Sequence, residues 1–261
     1  IPRDTLVTVP AHRSQDGTRD IPALPGKINA SYAFGGAPLL IQTIEEKTNL
    51  QIDHYIEVSF AGFTGIVDAL GGIEVCSKVA IDDPKSHLVL AAGTHTLNGI
   101  EALKYVRTRD FDGRGDIGRM ERQQQFVSAV LRKATSSGVL LNPIKLTNFY
   151  NAAISSVKMD AGVTKNDLLT LAKQLRNLSS GNVRTLTVPI SNPNGRHPTA
   201  GSVVIWDDVL AANLWTKIRN DEALLETVKP TASASAKPVT IDKFKTKTAA
   251  DNPCAAIDSR A

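Results

Sequence analysis

Along the first third of the chain, segments with the apolar spacing of a strand alternate with segments that have the apolar spacing of a helix. A β-branched run closed by Pro10 predicts a strand near the beginning, and the polar stretch 12–26 predicts a long loop. Pro38 opens an apolar run that predicts a helix with proline near its first turn. Strand and helix then alternate, which favours an α/β fold. The predicted segments are strands over 5–9, 54–60 and 73–76 and a helix over 63–70.

The longest periodic segment of the chain is 116–133, and a shorter helical pattern over 98–107 precedes it. Further helices are predicted over 143–156, 165–178 and 207–219, and further strands over 183–188 and 203–206. After residue 228 the composition shifts to Ala, Ser, Thr, Lys and Pro, which is typical of a linker or a loosely held tail. We therefore expect a folded domain over 1–228 and a low-complexity tail over 229–261.

Composition excludes several classes of protein. The 261 residues are 42% hydrophobic and 21% charged, near the average of soluble globular chains and unlike disordered or collagenous ones. No apolar stretch approaches the roughly 18 residues that span a bilayer. A formal net charge of +4 is too small to indicate nucleic acid as a partner unless the charge is concentrated. Five scattered histidines and two cysteines without CxxC spacing give no zinc ligand set, although one disulfide is possible.

An arginine-rich stretch over 107–125 carries five arginines and no lysine. Four acidic residues nearly balance them, unlike the unopposed patches that bind a nucleic-acid backbone. At about 100° per residue, Asp116, Arg119 and Gln123 share one arc of a helix with Val127, and we expect this arc to face the core. Guanidinium groups and a helix N-terminus suit phosphate oxygens, so the residues alone predict a site for phosphate or another small anion. The alternative is that Asp116 caps the helix and that the arginines form surface ion pairs.

Six ordered motifs within residues 1–135 resemble those of the LytR-CpsA-Psr family. The motifs are Ile1-Pro2-Arg3-Asp4-Thr5, the segments 27–32, 67–75 and 97–99, Arg107-x-Arg109, and Asp116-x-x-Arg119-x-x-Arg122-Gln123-Gln124. The resemblance implies a three-layer α/β/α fold with a central mixed β-sheet. It also implies a phosphotransferase that moves a glycopolymer from a polyprenyl diphosphate carrier to peptidoglycan. Such an enzyme forms a phosphodiester link and releases polyprenyl phosphate.

The motifs also imply roles for individual residues. Catalysis is expected from Arg107, Arg109, Asp116 and Arg119, with Asp116 orienting an arginine or acting as a base. The diphosphate is expected to be held by Arg3, Lys27, Arg107, Arg109, Arg119, Arg122 and Gln123. Phosphoryl transfer depends mainly on positioning and charge neutralisation, which such a set of residues supplies.

The resemblance implies further partners. Mg²⁺ or Mn²⁺ is the implied cofactor, but the family's acidic ligands precede the motif at Ile1, so no metal ligand is assigned. The chain starts without Met or a signal-like segment, so we expect a membrane anchor upstream and a location on the extracytoplasmic face of the bacterial membrane or in the cell wall. We expect the polyprenyl groove within 39–70. Because exported proteins are oxidised, we also expect a Cys76–Cys254 disulfide that pins the tail.

Two other functions fit the same residues. A polyprenyl diphosphate phosphatase would use these arginines with water as the acceptor. A non-catalytic module would hold an anionic polymer or a lipid diphosphate without transferring it. Arabinogalactan-type, teichoic-type and capsular polymers are all compatible with the resemblance.

Overall fold

The computed structural model describes residues 1–109, 115–136, 157–164, 166–168, 170, 174, 183–228, 239–241, 244, 246–248 and 254. The chain divides into two compact units. The first comprises Ile1–Asp53 and Leu186–Thr246, and the second comprises His54–Thr185 and Lys247–Ala261. The helix predicted over 143–156 lies outside the described residues, as does most of the one predicted over 165–178.

Helices and strands alternate along the described chain, which confirms the α/β prediction. Helices α1 to α5 span Ile28–Thr48, Phe60–Ala69, Gly99–Arg107, Gly115–Ser136 and Asp208–Arg219. Strands β1 to β8 span Leu6–Val9, His12–Arg13, Asp20–Ile21, Leu24–Lys27, Ile56–Val58, Ile73–Ser77, Ile81–Asp83 and Leu88–Leu90. Strands β9 to β16 span Gly93–Leu97, Val157–Met159, Arg184–Thr185, Ile190–His197, Gly201–Trp206, Glu226–Val228, Val239–Ile241 and Lys247–Thr248.

Strand pairing in the first unit is mixed. Strands β1 and β4 are antiparallel, and so are β12 and β13. A parallel bridge between Thr5 and Val204 joins these two ladders, with the Val204 amide donating to the Asp4 carbonyl at 2.8 Å. The indole Nε1 of Trp206 donates to the buried Thr5 hydroxyl at 3.1 Å. The start of the chain is therefore held by a segment about two hundred residues later.

Helix α1 begins earlier than the sequence predicted. It starts at Ile28, ten residues before Pro38, and leaves helical geometry at Gly35 and Gly36. Gly36 has φ 65°, a conformation that is costly for any residue with a Cβ. Proline therefore lies at the beginning of the second helical segment, where its missing N–H leaves no unsatisfied donor. The predicted long loop over 12–26 also contains the short strands β2 and β3 and most of β4.

Two apolar clusters lie in the first unit. Val7, Val9, Ile28 and Leu39 pack β1 against α1. The second cluster joins β13, α5 and the C-terminal segment, and it consists of Val188, Trp206, Ala211, Leu214 and Phe244. Phe244 is buried although it belongs to the segment that was predicted to be a tail.

The second unit has one larger core, which lies between the β6–β9 ladder and helices α2, α3 and α4. Ile73 and Leu97, which are directly opposite each other in the ladder, are both fully buried. Tyr105 from α3 and Phe126 from α4 complete the centre of this core. Strands β7 and β8 form an antiparallel hairpin beside it.

Helices α2 and α3 approach each other closely at Gly99. A Cβ at this position would overlap the backbone of Thr64, so glycine is required for the approach. The Gly99 amide donates to Asp68 Oδ1 at 2.7 Å. Asn98 and Glu101 form a capping box that fixes the first turn of α3. These contacts set the position of α3, whose last residue is the predicted site residue Arg107.

Cys76 and Cys254 form the predicted disulfide, with Cα atoms 5.5 Å apart. Cys254 is fully buried. Strand β16 pairs with β11 in the same unit, so two separate attachments hold the C-terminal segment to the second unit.

Candidate functional site

The predicted site residues belong to both units, and each group is described by itself. In the first unit, Asp4 Oδ1 lies 3.7 Å from Arg3 Nε and 3.6 Å from Lys27 Nζ. Alternation in the sequence left open which of Arg3 and Asp4 faces inward. The structure places Asp4 further in, with its side chain 21% exposed against 60% for Arg3. Arg3 is therefore directed to solvent while one carboxylate orients both cations.

Backbone contacts fix the position of these two cations. The Ile28 amide donates to the Thr5 carbonyl at 2.9 Å, and the Asn29 amide donates to the Arg3 carbonyl at 3.1 Å. Lys27 is the residue that precedes helix α1, and its partner across the β1–β4 ladder is Leu6. The first motif and the lysine motif of the sequence thus meet where β1, β4 and α1 come together.

In the second unit, Arg107 and Arg109 flank Thr108 at the end of α3. Thr108 is fully buried, and its hydroxyl donates to the Tyr105 carbonyl at 2.8 Å. Both arginine residues are exposed. The guanidinium carbon of Arg107 lies 5.3 Å from the centre of the Phe60 ring, a cation–π contact at the start of α2. The Arg-x-Arg motif therefore presents two cations to solvent from a backbone anchored at its middle residue.

Asp83 is the residue of this site that the sequence analysis missed. Its side chain is 1% exposed, and Oδ2 accepts the Arg109 amide at 2.6 Å. Oδ1 accepts the amides of Lys85 and Ser86 at 2.9 and 3.2 Å, which also shapes the β7–β8 turn. Asp83 thereby couples this hairpin to the Arg-x-Arg segment. An Asp before a proline indicates a turn, but it does not reveal a partner 26 residues away.

Helix α4 is attached to the same segment by two side chains. Arg122 Nη2 donates to the Thr108 carbonyl at 2.7 Å, and Gln123 Nε2 donates to the Val106 carbonyl at 3.1 Å. Arg122 is only 7% exposed, whereas Gln123 is exposed. In this geometry Arg122 positions the backbone that carries Arg107 and Arg109.

The predicted core-facing arc of α4 is wrong for two of its members. Gln123 is exposed and Val127 is 52% exposed. The buried positions include Gly118, Arg122, Phe126 and Ala129, which lie on a neighbouring face of the helix. The prediction failed because it centred the core-facing arc on Arg119 and Gln123, whereas the Arg122 guanidinium is buried and donates to a backbone carbonyl.

The remaining predicted residues lie in or beside this helix. Arg119 is partly buried in the second turn of α4. Asp116 falls in the first turn, but its side chain is outside the described residues, as are residues 110–114.

Burial of Tyr105 changes its acid–base behaviour. Its side chain is 1% exposed, and its hydroxyl donates to the Cys76 carbonyl at 3.3 Å. Burial raises the pKa of Tyr105 to about 12, although the nearby Arg122 charge acts in the opposite direction. The phenol is therefore neutral near pH 7 and serves the packing of α3.

Among the described residues, no three His, Cys, Asp or Glu side chains come close enough to hold a metal ion. The roles proposed below rest on the arginines. In the same described parts of the chain, no helix is both long enough and apolar enough to cross a membrane.

The two exposed arginines of the second unit, Arg107 and Arg109, are suited to binding an anion. Two exposed guanidinium groups lie two residues apart on a backbone held by Asp83 and Arg122. Planar guanidinium groups bind phosphate oxygens in a bidentate manner and keep their charge at all relevant pH values. Arg3 and Lys27 form a second cationic pair in the first unit.

Comparison with known proteins adds a family and several relatives. The profile of the LytR_cpsA_psr family matches residues 1–220. The probable cell wall biosynthesis protein LcpB of Corynebacterium glutamicum is 38% identical over 219 residues, which are 84% of this chain and 49% of LcpB. The polyisoprenyl-teichoic acid–peptidoglycan teichoic acid transferase TagU of Bacillus cereus is 34% identical over 179 residues, which are 68% of this chain and 53% of TagU. The chain thus spans about half the length of these curated relatives.

Solved structures share the fold. The crystal structure of B. subtilis TagV matches with a TM-score of 0.65 and 26% identity, and the match covers 85% of this chain and 82% of that chain.

Proposed function

Because the chain belongs to the LytR-CpsA-Psr family, as its motifs predicted, we propose that it is a phosphotransferase of cell wall biosynthesis. The reaction moves a glycopolymer from a polyprenyl diphosphate carrier to peptidoglycan. The names of the relatives support this class of reaction, since TagU is named as a peptidoglycan teichoic acid transferase and LcpB as a cell wall biosynthesis protein.

One observation carries the proposal: Arg107 and Arg109 are exposed on either side of an anchored, buried Thr108. Asp83 holds the Arg109 amide, and Arg122 holds the Thr108 carbonyl. A backbone fixed in this way presents two cations without reorganisation when charge develops on the transferring phosphate.

The proposed step begins when a hydroxyl oxygen of the peptidoglycan acceptor attacks the phosphorus that carries the glycan. The bond between that phosphorus and the bridging oxygen breaks, and polyprenyl phosphate leaves with the bridging oxygen. The acceptor proton passes to a base, for which Asp116 is the candidate that the motif implies. Arg107, Arg109 and Arg119 neutralise the diphosphate, and Arg122 holds the backbone in place. Gln123 is proposed to complete diphosphate binding in the second unit, and the roles that the motifs imply for Arg3 and Lys27 in the first unit stay predictions.

Exposed apolar side chains on β5 and at the start of α2 support a lipid-linked donor. Ile56 and Val58 on β5 are 47% and 44% exposed, and Phe60, which contacts Arg107, is 65% exposed. A segment of exposed large apolar residues that ends in contact with an arginine suits a substrate in which a diphosphate is joined to a hydrocarbon chain. These three residues fall within the segment predicted to line the polyprenyl groove.

Incubation with a lipid-diphosphate glycan, with and without peptidoglycan fragments, tests the proposal. A transferase releases polyprenyl phosphate and links glycan to the fragments only when the acceptor is present. Release without the acceptor, at the same rate, would identify a phosphatase. Binding of the donor without release under either condition would identify a non-catalytic module.

Magnesium or manganese is proposed as the cofactor on the family resemblance alone. Mg²⁺ is commonly held by substrate phosphates together with only one or two carboxylates, so a three-residue cluster is not required. Transfer should be lost in EDTA and restored by added Mg²⁺ or Mn²⁺. Full transfer in EDTA would contradict this part of the proposal.

The location on the extracytoplasmic side of the membrane, with an anchor outside this sequence, is likewise proposed. The Cys76–Cys254 disulfide supports it, because disulfides persist in oxidising compartments. Fractionation of cells that express the complete protein, followed by protease treatment of intact protoplasts, tests both statements. Protection from protease would contradict the extracytoplasmic location.

A further inference from the structure

A cavity of about 270 Å³ lies in the second unit, and its described lining does not include Arg107 or Arg109. Its floor is the β6–β9 ladder. Glu74 and Cys76, two residues apart on β6, share one face of this ladder, and Thr94 on β9 lies opposite Cys76. One wall is helix α4, which contributes Gln124, Ser128 and Arg132 at spacings of four. The other wall is the β11–β16 ladder.

Charge in the lining favours an anionic ligand. Lys78, Arg132 and Lys247 come from three different segments and converge on the cavity, whereas Glu74 is the single carboxylate among the lining residues that the structure describes. Lys247 also lies 3.9 Å from Glu121, which orients the ammonium group from outside the cavity lining. Three cations against Glu74 and Glu121 leave a net positive charge in a partly enclosed space, where charge interactions are stronger than in bulk water.

Neutral polar groups in the lining favour hydroxyl groups on the same ligand. Thr94, Ser128 and Thr248 contribute hydroxyls, and Gln124 and Gln125 contribute amides. Glu74 accepts hydrogen bonds from hydroxyl groups but repels a simple anion. The volume lies just below the range of about 300 to 1,000 Å³ that holds drug-sized ligands, so it suits one sugar unit.

We propose that this cavity binds a sugar unit that carries a phosphate or carboxylate group. Lys78, Arg132 and Lys247 hold the charged group, and Glu74 with the hydroxyl and amide side chains holds the ring hydroxyls. The Cys76–Cys254 disulfide joins the floor to the segment that carries β16, so the site is assembled in the oxidised protein. The inference does not depend on transferase activity.

Calorimetric titration of the oxidised protein with four probes tests the chemistry. Glucose 6-phosphate and glucuronate should bind, while glucose and inorganic phosphate should each bind at least about tenfold more weakly, because each lacks one of the two recognised features. Glucose binding as tightly as glucose 6-phosphate would overturn the role of charge. Phosphate binding as tightly as glucose 6-phosphate would overturn the role of the sugar, and so would no measurable binding of either anionic sugar.

Variants place the binding in this cavity. Lys78→Gln and Lys247→Gln should each weaken binding of glucose 6-phosphate by about tenfold, because each removes a charge-assisted hydrogen bond. Lys158→Gln, an exposed lysine on β10 outside the lining, is the matched control and should bind like the parent. Amide shifts at Thr94 and Ser128 on titration give a second readout, and unchanged binding in both lysine variants would overturn the proposal.

Discussion

Arg122 Nη2 donates a hydrogen bond to the Thr108 carbonyl at 2.7 Å and thereby joins α4 to the end of α3. Arg122 is buried, but the residues on either side of Thr108 are exposed arginines. One buried guanidinium thus holds the backbone from which two exposed ones extend. This relationship distinguishes residues that shape the site from residues that are placed to touch a substrate.

Arg122→Lys should lower the free energy of unfolding by about 1 to 3 kcal/mol, because lysine keeps the charge but not the planar fork that reaches the carbonyl. Denaturant titration measures the difference. Gln123→Ala on the exposed side of the same helix is the comparison and should cost about 1 kcal/mol or less. Equal losses in the two variants would show that the buried contact has no special weight.

Arg107→Ala and Arg109→Ala should each reduce transfer by about 10²- to 10³-fold, because each removes a cation placed to stabilise transition-state charge. Their melting temperatures should change little, since both side chains are exposed. Arg13→Ala removes an exposed arginine paired with an exposed Asp20 and serves as the control. Transfer as low in Arg13→Ala as in the other two would contradict the assignment.

Asp83→Asn should reduce transfer and also speed hydrogen exchange of the Arg109 amide, because the buried carboxylate that accepts this amide loses its charge. The expected loss of stability is about 1 to 3 kcal/mol. Asp82→Asn changes the exposed neighbour on the same strand and should stay within about 0.5 kcal/mol of the parent. Unchanged Arg109 exchange in Asp83→Asn would exclude the positioning role.

Because the pKa of Tyr105 is raised in the folded protein, we expect the free energy of unfolding to fall at alkaline pH. The pKa of this residue is raised from 10 to about 12 in the folded protein. The folded phenol thus stays protonated in a range where the unfolded one ionises. Its contribution is fully present below pH 10 and declines by about 3 kcal/mol as the pH rises to 12. Tyr105→Phe should flatten this part of the stability curve, whereas Tyr32→Phe, which changes a 40% exposed tyrosine, should not. Parallel curves for the parent and Tyr105→Phe would contradict the shift.

The disulfide predicts a large effect of reductant on thermal stability. It closes a loop of 178 residues, for which the chain-entropy estimate is about 5 kcal/mol. Scanning calorimetry should show a lower melting temperature with reductant, and the double variant Cys76→Ser, Cys254→Ser should match the reduced protein. A reductant effect that persists in the double variant would have another cause.

Strong local patterns in the sequence predicted most of the helices and several strands. The helical spacing over 98–107 and the long periodic segment over 116–133 gave helix positions close to the observed α3 and α4. The β7–β8 hairpin was missed because each strand has three residues, too few to establish a period of two. The start of α1 was missed because Gly35 and Gly36 interrupt its pattern.

The candidate site was predictable in part. The motifs marked Arg107 and Arg109, but no local pattern indicated that Arg122 is buried or that Asp83 accepts the Arg109 amide. Both facts depend on contacts between segments distant in sequence, and buried arginine is rare enough that periodicity assigns it to solvent. Burial of a charge becomes acceptable only when a specific partner compensates it, and that partner is known only from the fold.

The bridge between Thr5 and Val204 also bears on the order in which the chain can fold during synthesis. The apolar core of the second unit lies within residues 67–129, so its buried residues leave the ribosome together. The contact of β1 with β13 in the first unit must instead wait, because Trp206 follows Thr5 by 201 residues. Because domains generally form as their parts emerge, the apolar core of the second unit can assemble before this contact completes the first unit.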